Sequence, residues 1–385
     1  MKLKKGSRRS AYIRHLCSLG LPDTQVIPAV AQALREHVDA DHGMFFWAGE
    51  DYDLASVYAE DEAVYDSVST YQQLRLNGHI GALIGDFRDW MRTGPRCTNS
   101  AHIDKQFTAS EFFNEVVRPC DHRHWMVAVV RDHRRGWGCL WMARRPGRPS
   151  FMAAEQKVLE SFGPHVLHAV RQPAREAVAC VAAEEGSALI VDRAGRILHR
   201  GMGAERLLRL MSDDTLSGAW THGALPPALG QLLLQLRRIE RGLPAAPARR
   251  EFHNRWGHFL WRAYVMQALA AEPDEGLVVL HGQLLAPTRL VKARGAHALG
   301  LSAQQQRICV RLAEGQAQRT IAADLGLGAS TVVDHVRRAY RQLGVSSRED
   351  LAAALLDAGV GSGLANASFA QGGHAADRLT PASAW

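Results

Sequence analysis

The chain lacks the marks of a disulfide scaffold, a membrane protein or an enzyme of a common type. Its six cysteines, Cys17, Cys97, Cys120, Cys139, Cys180 and Cys309, are scattered over 385 residues with no Cys-x-x-Cys spacing. That scatter argues against a disulfide framework and a thiolate zinc site, and a cytoplasmic setting is expected. No run approaches the roughly 18 apolar residues of a membrane span. Ala11 to Leu21 is interrupted by Arg14 and His15, which makes it a poor signal-peptide core. Gly-x-Ser-x-Gly, a phosphate loop ending Gly-Lys-Ser/Thr, Gly-x-Gly-x-x-Gly after a strand and His-Glu-x-x-His are all missing. The 18 histidines cluster with arginine rather than with carboxylates, so no acid–base pair stands out. Neither catalysis nor a cofactor is expected. Glu184-Glu185 precedes a strand instead of ending one, which argues against a phosphoacceptor domain.

What is present is globular: 46% hydrophobic and 22% charged residues, in a chain long enough for two or three domains. A net charge of +7 favours a polyanionic partner only weakly at this size. Lys2, Lys4, Lys5, Arg8 and Arg9 make 1–23 a basic segment. From 24 to 173 the pattern is α/β. Val26, Ile27, Val30, Ala33, Leu34 and Val38 have helical spacing, and 43–48 and 54–59 read as strands. Helices follow near 62–76 and 108–117, then a hairpin of 125–130 and 137–143. A long helix from Phe151 to Arg171 is kinked at Pro164. Trp47, Trp90, Trp125 and Trp141 are candidates to line a ligand pocket, against the plainer reading as core. Cys120, His122 and His124 are the candidate metal ligands, against a solvated, basic strand entry. No further partner completes that set, so no metal is expected.

The segment 180–288 repeats the mixture: a hairpin at 187–191 and 196–199, helices at 204–211 and 229–239, and late strands near 259–265 and 276–285. Residues 289–297 form a basic linker with Arg289, Lys292 and Arg294, and 360–385 a disordered tail.

Three short helices with two tight joints occupy 298–343. Ser302 and Gln305 form a capping box, and Gly315 and Gly326 stand where helix ends favour a left-handed residue. In the third helix, 329–343, Val332, Val336, Tyr340 and Leu343 make one apolar stripe. Ser330, Val333, Asp334, Arg337, Arg338 and Arg341 lie on the remaining surface. A basic helix held by its apolar side and preceded by a glycine turn suits a DNA major groove. The competing reading is a helical bundle with a solvated arginine face that binds protein.

Thr331-Val332-x-x-His335-Val336 and Leu343-Gly344-Val345-Ser346-Ser347-Arg348, with Leu301-Ser302, Glu314-Gly315 and Ile321-Ala322 before them, resemble the helix-turn-helix of the LuxR family of bacterial transcription regulators. The resemblance implies a four-helix domain over 298–359 that binds double-stranded DNA through Ser330, Thr331, Val333, Asp334, His335, Arg337, Arg338 and Arg341. It also implies a fourth helix, capped by Ser347, that dimerises through Leu351, Leu355 and Leu356. RNA polymerase and a small-molecule effector are the further partners expected of such a homodimer. Ser110 to Pro119 and Gly138 to Arg144, with Phe151 and Glu155, resemble a GAF-type sensor domain. Ala188 to Leu198 resembles a PAS fold. The expected fold class is therefore multidomain α/β plus all-α: a GAF-like α/β domain, a PAS-like α/β domain and a LuxR-type helix-turn-helix. Three departures set aside any inherited base preference: Gln305 where the family usually has Glu, Val333 where a basic residue is common, and the acidic Asp334.

Overall fold

The structure, a computed structural model, describes residues 2–76, 86–100, 105–172, 179–183, 186–217, 223–266 and 276–372. It divides into a first unit of residues 1–176 with 208–221 and a second unit of 177–207 with 222–385.

In the first unit α1 (Lys2–Cys17) and α2 (Asp23–His37) precede β1 (His42–Ala48), β2 (Leu54–Ala59), α3 (Ala63–Leu76), α4 (Phe87–Arg92), β3 (Cys97–Asn99) and α5 (Lys105–Thr108). A π turn (Phe113–Val117) and a 3-10 turn (Arg118–Cys120) lead to β4 (His124–Arg131), β5 (Gly136–Arg144), α6 (Ala153–Ser161) and α7 (Gly163–Val170). The strands form an antiparallel sheet in the order β2-β1-β5-β4-β3. α2 and α7 pack against the sheet, and α3, α4 and the π turn belong to a second layer around Met44, Val127 and Cys139. Strands covered on both faces read as continuous apolar runs, and β4, buried from Trp125 to Val130, is one.

Four expectations change here. The basic segment 1–23 is largely the helix α1, whose Ile13, Leu16 and Cys17 are buried while Arg8 and Arg9 stay exposed. The kinked helix 151–171 is two helices that part at Phe162, ahead of Gly163-Pro164. The helix expected at 108–117 is a four-residue helix followed by a π and a 3-10 turn. The chain also returns to this unit at 208–221. There the fully buried Arg209 donates to Asp66 Oδ1 (3.1 Å) and to the Ser217 carbonyl (2.7 Å), and Thr215 Oγ1 accepts from the Val57 amide (3.0 Å).

Arg144 explains why a motif late in β5 belongs with Phe151 and Glu155. Its guanidinium, in a residue 3% exposed, donates to Glu155 (2.6 Å) and to the carbonyls of Val38, Asp39 and Pro149, and lies 4.0 Å from the Phe151 ring centre. A buried charge is tolerated only when it is paired and its donors are satisfied, as here.

The second unit holds β6 (Cys180–Val181), β7 (Ser187–Val191), β8 (Ile197–Arg200), the first half of α8 (Ala204–Met211), α9 (Pro227–Glu240), β9 (Arg249–Asn254), β10 (Gly257–Val265) and β11 (Val278–Pro287). Its sheet runs β8-β7-β11-β10-β9, and β6 pairs with the end of β11. Then come α10 (Thr288–Ala298), α11 (Ala303–Ala313), α12 (Gln318–Leu325), α13 (Ala329–Leu343) and α14 (Arg348–Gly372).

The basic linker expected at 289–297 is the helix α10, which starts directly after β11. Its cations are turned inward: Arg289 Nε pairs with Glu314 (2.5 Å), and Lys292, 7% exposed, donates to the Ala313 carbonyl (2.9 Å). A cation at the last carbonyls of α11 satisfies both the orphan acceptors and the helix dipole. The tail expected to be disordered from 360 continues α14 to Gly372, while 373–385 and parts of the alanine-rich run, 173–178 and 184–185, lie outside the described residues. α10 and α14 touch backbone to backbone. A Cβ at Gly295 would stand 1.9 Å from the Leu355 carbonyl oxygen, and one at Gly359 2.0 Å from that of Val291.

That contact yields a prediction. Gly295→Ala and Gly359→Ala will each destabilise the second unit by about 3 kcal/mol, because overpacking costs roughly 1–3 kcal/mol and here the obstacle is main chain. Gly361→Ala, with open space around it in the same helix, will be neutral or stabilising by up to about 1 kcal/mol. Urea unfolding of the full chain measures all three.

Candidate nucleic-acid interface and ligand cavity

α12 and α13 are joined by Leu325-Gly326-Leu327-Gly328. Gly326 adopts φ +63°, which lets the α12 terminus turn sharply, and Gly328 is the N-cap of α13. Val332, Val336 and Ala339 of α13 are buried, with Tyr340 and Leu343 half-buried. Ser330, Thr331, Asp334, Arg337, Arg338 and Arg341 are exposed, and Val333 and His335 are half-buried. The three arginines make no ion pair among the described residues. Arg319 on α12 is a further exposed cation that the stripe on α13 could not reveal. Its signal was local, since burial of Ile321 and Ala322 leaves the preceding turn outward.

α11 begins with the expected capping box: Ser302 Oγ accepts from the Gln305 amide and Gln305 Oε1 from the Ser302 amide (2.9 Å). Ser347 caps α14 in the same manner, accepting from the Asp350 amide (3.0 Å). The leucines expected to dimerise this helix do other work. Leu351 and Leu355 are 0% exposed inside the chain, and the half-buried Leu356 packs on Ala183, Ala286 and Val291, so these leucines help to hold α14 in place.

Within the first unit a cavity of about 100 Å³ opens between the sheet and the layer of α3 and α4. Met44, Phe46, Val68, Tyr71, Trp90 and Trp141 are among its lining residues, and most of its surface is apolar. Of the four tryptophans proposed for a pocket, Trp90 and Trp141 line it. Trp125 stacks on Trp141 from outside, with ring centres 5.9 Å apart. Trp47 does not line it, because it alternates with Met44 and Phe46 along β1 and donates to Asp23 Oδ2 (2.7 Å). The Trp141 indole N–H is buried without an acceptor among the described residues.

Residues 299–355 match the family described as bacterial regulatory proteins, luxR family. The C-terminal helices are a LuxR-type domain. The transcriptional regulatory protein UhpA of Escherichia coli strain K12 is 32% identical over 90 residues, 22% of this chain and 46% of the relative. Its counterpart in Salmonella typhimurium strain LT2 is 33% identical over the same shares. The chain thus spans about half the length of these curated relatives. A crystal structure of Escherichia coli SdiA covers 89% of this chain and 92% of that one at 9% identity and a TM-score of 0.28, too weak a likeness to carry an argument.

In this LuxR-type domain the departures have visible settings. Gln305 keeps the capping function through its side-chain carbonyl, whereas Val333 and Asp334 lie on the outer side of the helix.

The candidate metal set Cys120, His122 and His124 is not assembled. Cys120 bonds to Ser67 Oγ (3.3 Å) and the Val116 carbonyl (3.4 Å), and burial pushes its thiol up to about 12. His124 pairs in register with Arg144 at the start of β4. His122 instead faces His42 and Asp61, residues far away in sequence that no local pattern could have joined to it. Burial lowers the His42 pKa to about 4, with His122 and Arg145 adding to the effect and Asp61 and Asp41 opposing it. Burial alone would raise Asp61, but the neighbouring imidazoles of His122 and His42 and the Ala63 amide bring it below the usual range.

These shifts set the sign of an acid response. The folded His42 titrates below its unfolded value of about 6.5, so the unfolded chain takes up the proton first and stability falls as pH drops from about 6.5 to about 4. The loss reaches roughly 3 kcal/mol at most. Thermal unfolding followed across that window will show it, and His42→Gln will flatten the first unit's response.

Proposed function

We propose that this chain is an effector-responsive transcription regulator that binds double-stranded DNA through α13, acting as a homodimer and working on RNA polymerase at its promoters. The observation that carries the reading is the outer surface of α13. A helix clamped by its apolar stripe in a LuxR-type domain presents Arg337, Arg338 and Arg341 to solvent with no counter-ion among the described residues. Ser330, Thr331 and Val333 near its N-terminus face the bases, the arginines reach guanine edges or phosphates, and His335 lies near the backbone. Asp334 weakens this surface locally. Two such helices in a dimer reach half-sites about one DNA turn apart. With Leu351, Leu355 and Leu356 committed to the chain's own packing, a dimer through α14 uses the outward stripe Ala353, Asp357 and Gly361.

The sheets support sensor domains upstream, GAF-like in the first unit and PAS-like in the second. Each runs second, first, fifth, fourth, third in its own strand numbering, setting β6 aside. The cavity favours a small, largely apolar effector with an acceptor for the Trp141 indole N–H. Apolar cavities of about 150 Å³ bind benzene-sized molecules.

Two outcomes follow. Arg337→Ala with Arg338→Ala will cost roughly 1–3 kcal/mol for each lost base contact, and the slope of log affinity against log salt will fall by about one for each lost phosphate contact. Fluorescence anisotropy on promoter fragments at several salt concentrations measures both, and salt-independent association would favour the protein-binding alternative. Trp141→Phe will leave the fold intact and weaken an acceptor-bearing aromatic ligand by about 1 kcal/mol, read by calorimetry.

A further inference from the structure

Register brings three ligating side chains to one end of the first sheet. His42 opens β1 and lies opposite Ala143 of β5. Asp61 follows β2, whose last residue, Ala59, is opposite Met44. His122 precedes β4, which flanks the other edge of β5, so Trp125 also meets Ala143. One ligating atom from each of His42, Asp61 and His122 lies within 4.8 Å of the other two. All three residues are at most 9% exposed.

We propose that His42, Asp61 and His122 form a binding site for a divalent transition metal of the zinc class, with an open coordination position towards the apolar cavity. Two imidazoles and a carboxylate are borderline donors that suit zinc, iron or cobalt rather than calcium or magnesium. In a tetrahedral site with bonds of about 2.0–2.1 Å, ligand atoms stand about 3.3–3.4 Å apart. His122 Nε2 and Asp61 Oδ2 are 3.5 Å apart, which suits two corners of one coordination sphere better than a charge-assisted hydrogen bond of about 2.7–2.9 Å. The carboxylate is already oriented: Asp61 Oδ1 accepts from the Ala63 amide (3.1 Å), leaving Oδ2 turned to His122. Such outer bonds fix ligand orientation in metal sites. The nearby charges divide, with Asp41 favouring a cation and Arg145 opposing one.

His122 is also a wall of the cavity. Three protein ligands leave a fourth place for water or a donor atom of a bound molecule. The metal would therefore present a Lewis-acidic point to whatever the cavity holds, at its otherwise apolar surface. This assignment does not depend on DNA binding, and its test makes no use of DNA.

The full-length chain is stripped with chelator and titrated with cobalt chloride, followed by visible absorption, and then with zinc chloride in competition. One cobalt per chain with a d–d band and no intense thiolate charge-transfer band is expected, together with a zinc-dependent rise in the unfolding midpoint. Asp61→Asn and His122→Gln will each lower the affinity by more than roughly 100-fold, the upper range for losing even an outer-shell partner. His124→Ala will leave it unchanged. Failure of the stripped wild type to bind cobalt or zinc at micromolar concentration overturns the proposal, as does undiminished affinity in either triad variant. A thiolate charge-transfer band would replace this ligand set with one containing Cys120 and overturns it as stated. Far-UV circular dichroism checks the variants. Should one misfold, the wild-type cobalt band and zinc-dependent midpoint must both be present, and absence of either is decisive.

Discussion

The second unit depends on main chain meeting main chain between α10 and α14. Gly295 and Gly359 remove the side chains that would hold these helices apart, so each helix rests on a carbonyl of the other. Helix interiors usually disfavour glycine by about 1 kcal/mol relative to alanine. Here that cost is offset by close packing that no other residue allows, with Val291 and Leu355 completely buried beside it. α14 then covers α10 and α11, and α11 and α12 support α13. The exposed arginines are positioned at the end of this chain of contacts.

The first unit solves a different problem: a sheet covered on both faces with space left on one of them. On the α2 side Val26, Ile27, Val30 and Leu34 are buried. On the other side Trp90, Trp141 and Phe46 border a space that the described residues leave open. Unfilled volume is costly in an ordinary core. The Trp141 N–H, without an acceptor among the described residues, belongs to the same wall.

Legibility from sequence followed the range of the forces. The helix-turn-helix was readable because its determinants are local: a capping box within four residues, left-handed glycines at helix ends, and an apolar stripe at helical spacing. The hairpins of both sheets were equally plain. Elements whose polarity masks their packing were not. Arg249–Asn254 carries five charged or polar side chains and forms an edge strand, and Arg289, Lys292 and Arg294 suggested a linker where α10 stands. Lysine and arginine stems pack while their heads seek carbonyls, so a basic run does not by itself indicate exposure. The leucines of α14 illustrate a related point, since Leu351 and Leu355 are covered within the chain itself. Apolar spacing identifies a face that is covered, but it cannot say whether the cover comes from the same chain.

Cavity and metal-ligand geometry were the least accessible. Trp47 and Trp141 look alike in sequence, yet β1 turns Trp47 away while β5 turns Trp141 inward. His122 was noticed beside Cys120 and His124, its sequence neighbours. Its spatial neighbours, Asp61 and His42, stand about 60 and 80 residues earlier in the chain, a separation that no short window contains.

The junction between β11 and α10 has a mechanical consequence. Pro287 ends the strand and Thr288 begins the helix, with no slack between them. Arg289 and Lys292 then rivet that helix to the end of α11. Such a coupling behaves as a crank rather than a tether. The azimuth of everything beyond residue 288 is indexed to the sheet, and one extra helical residue would turn it by about 100°. Evolution of this chain can therefore change loop lengths elsewhere far more freely than it can change the count of residues across that single joint.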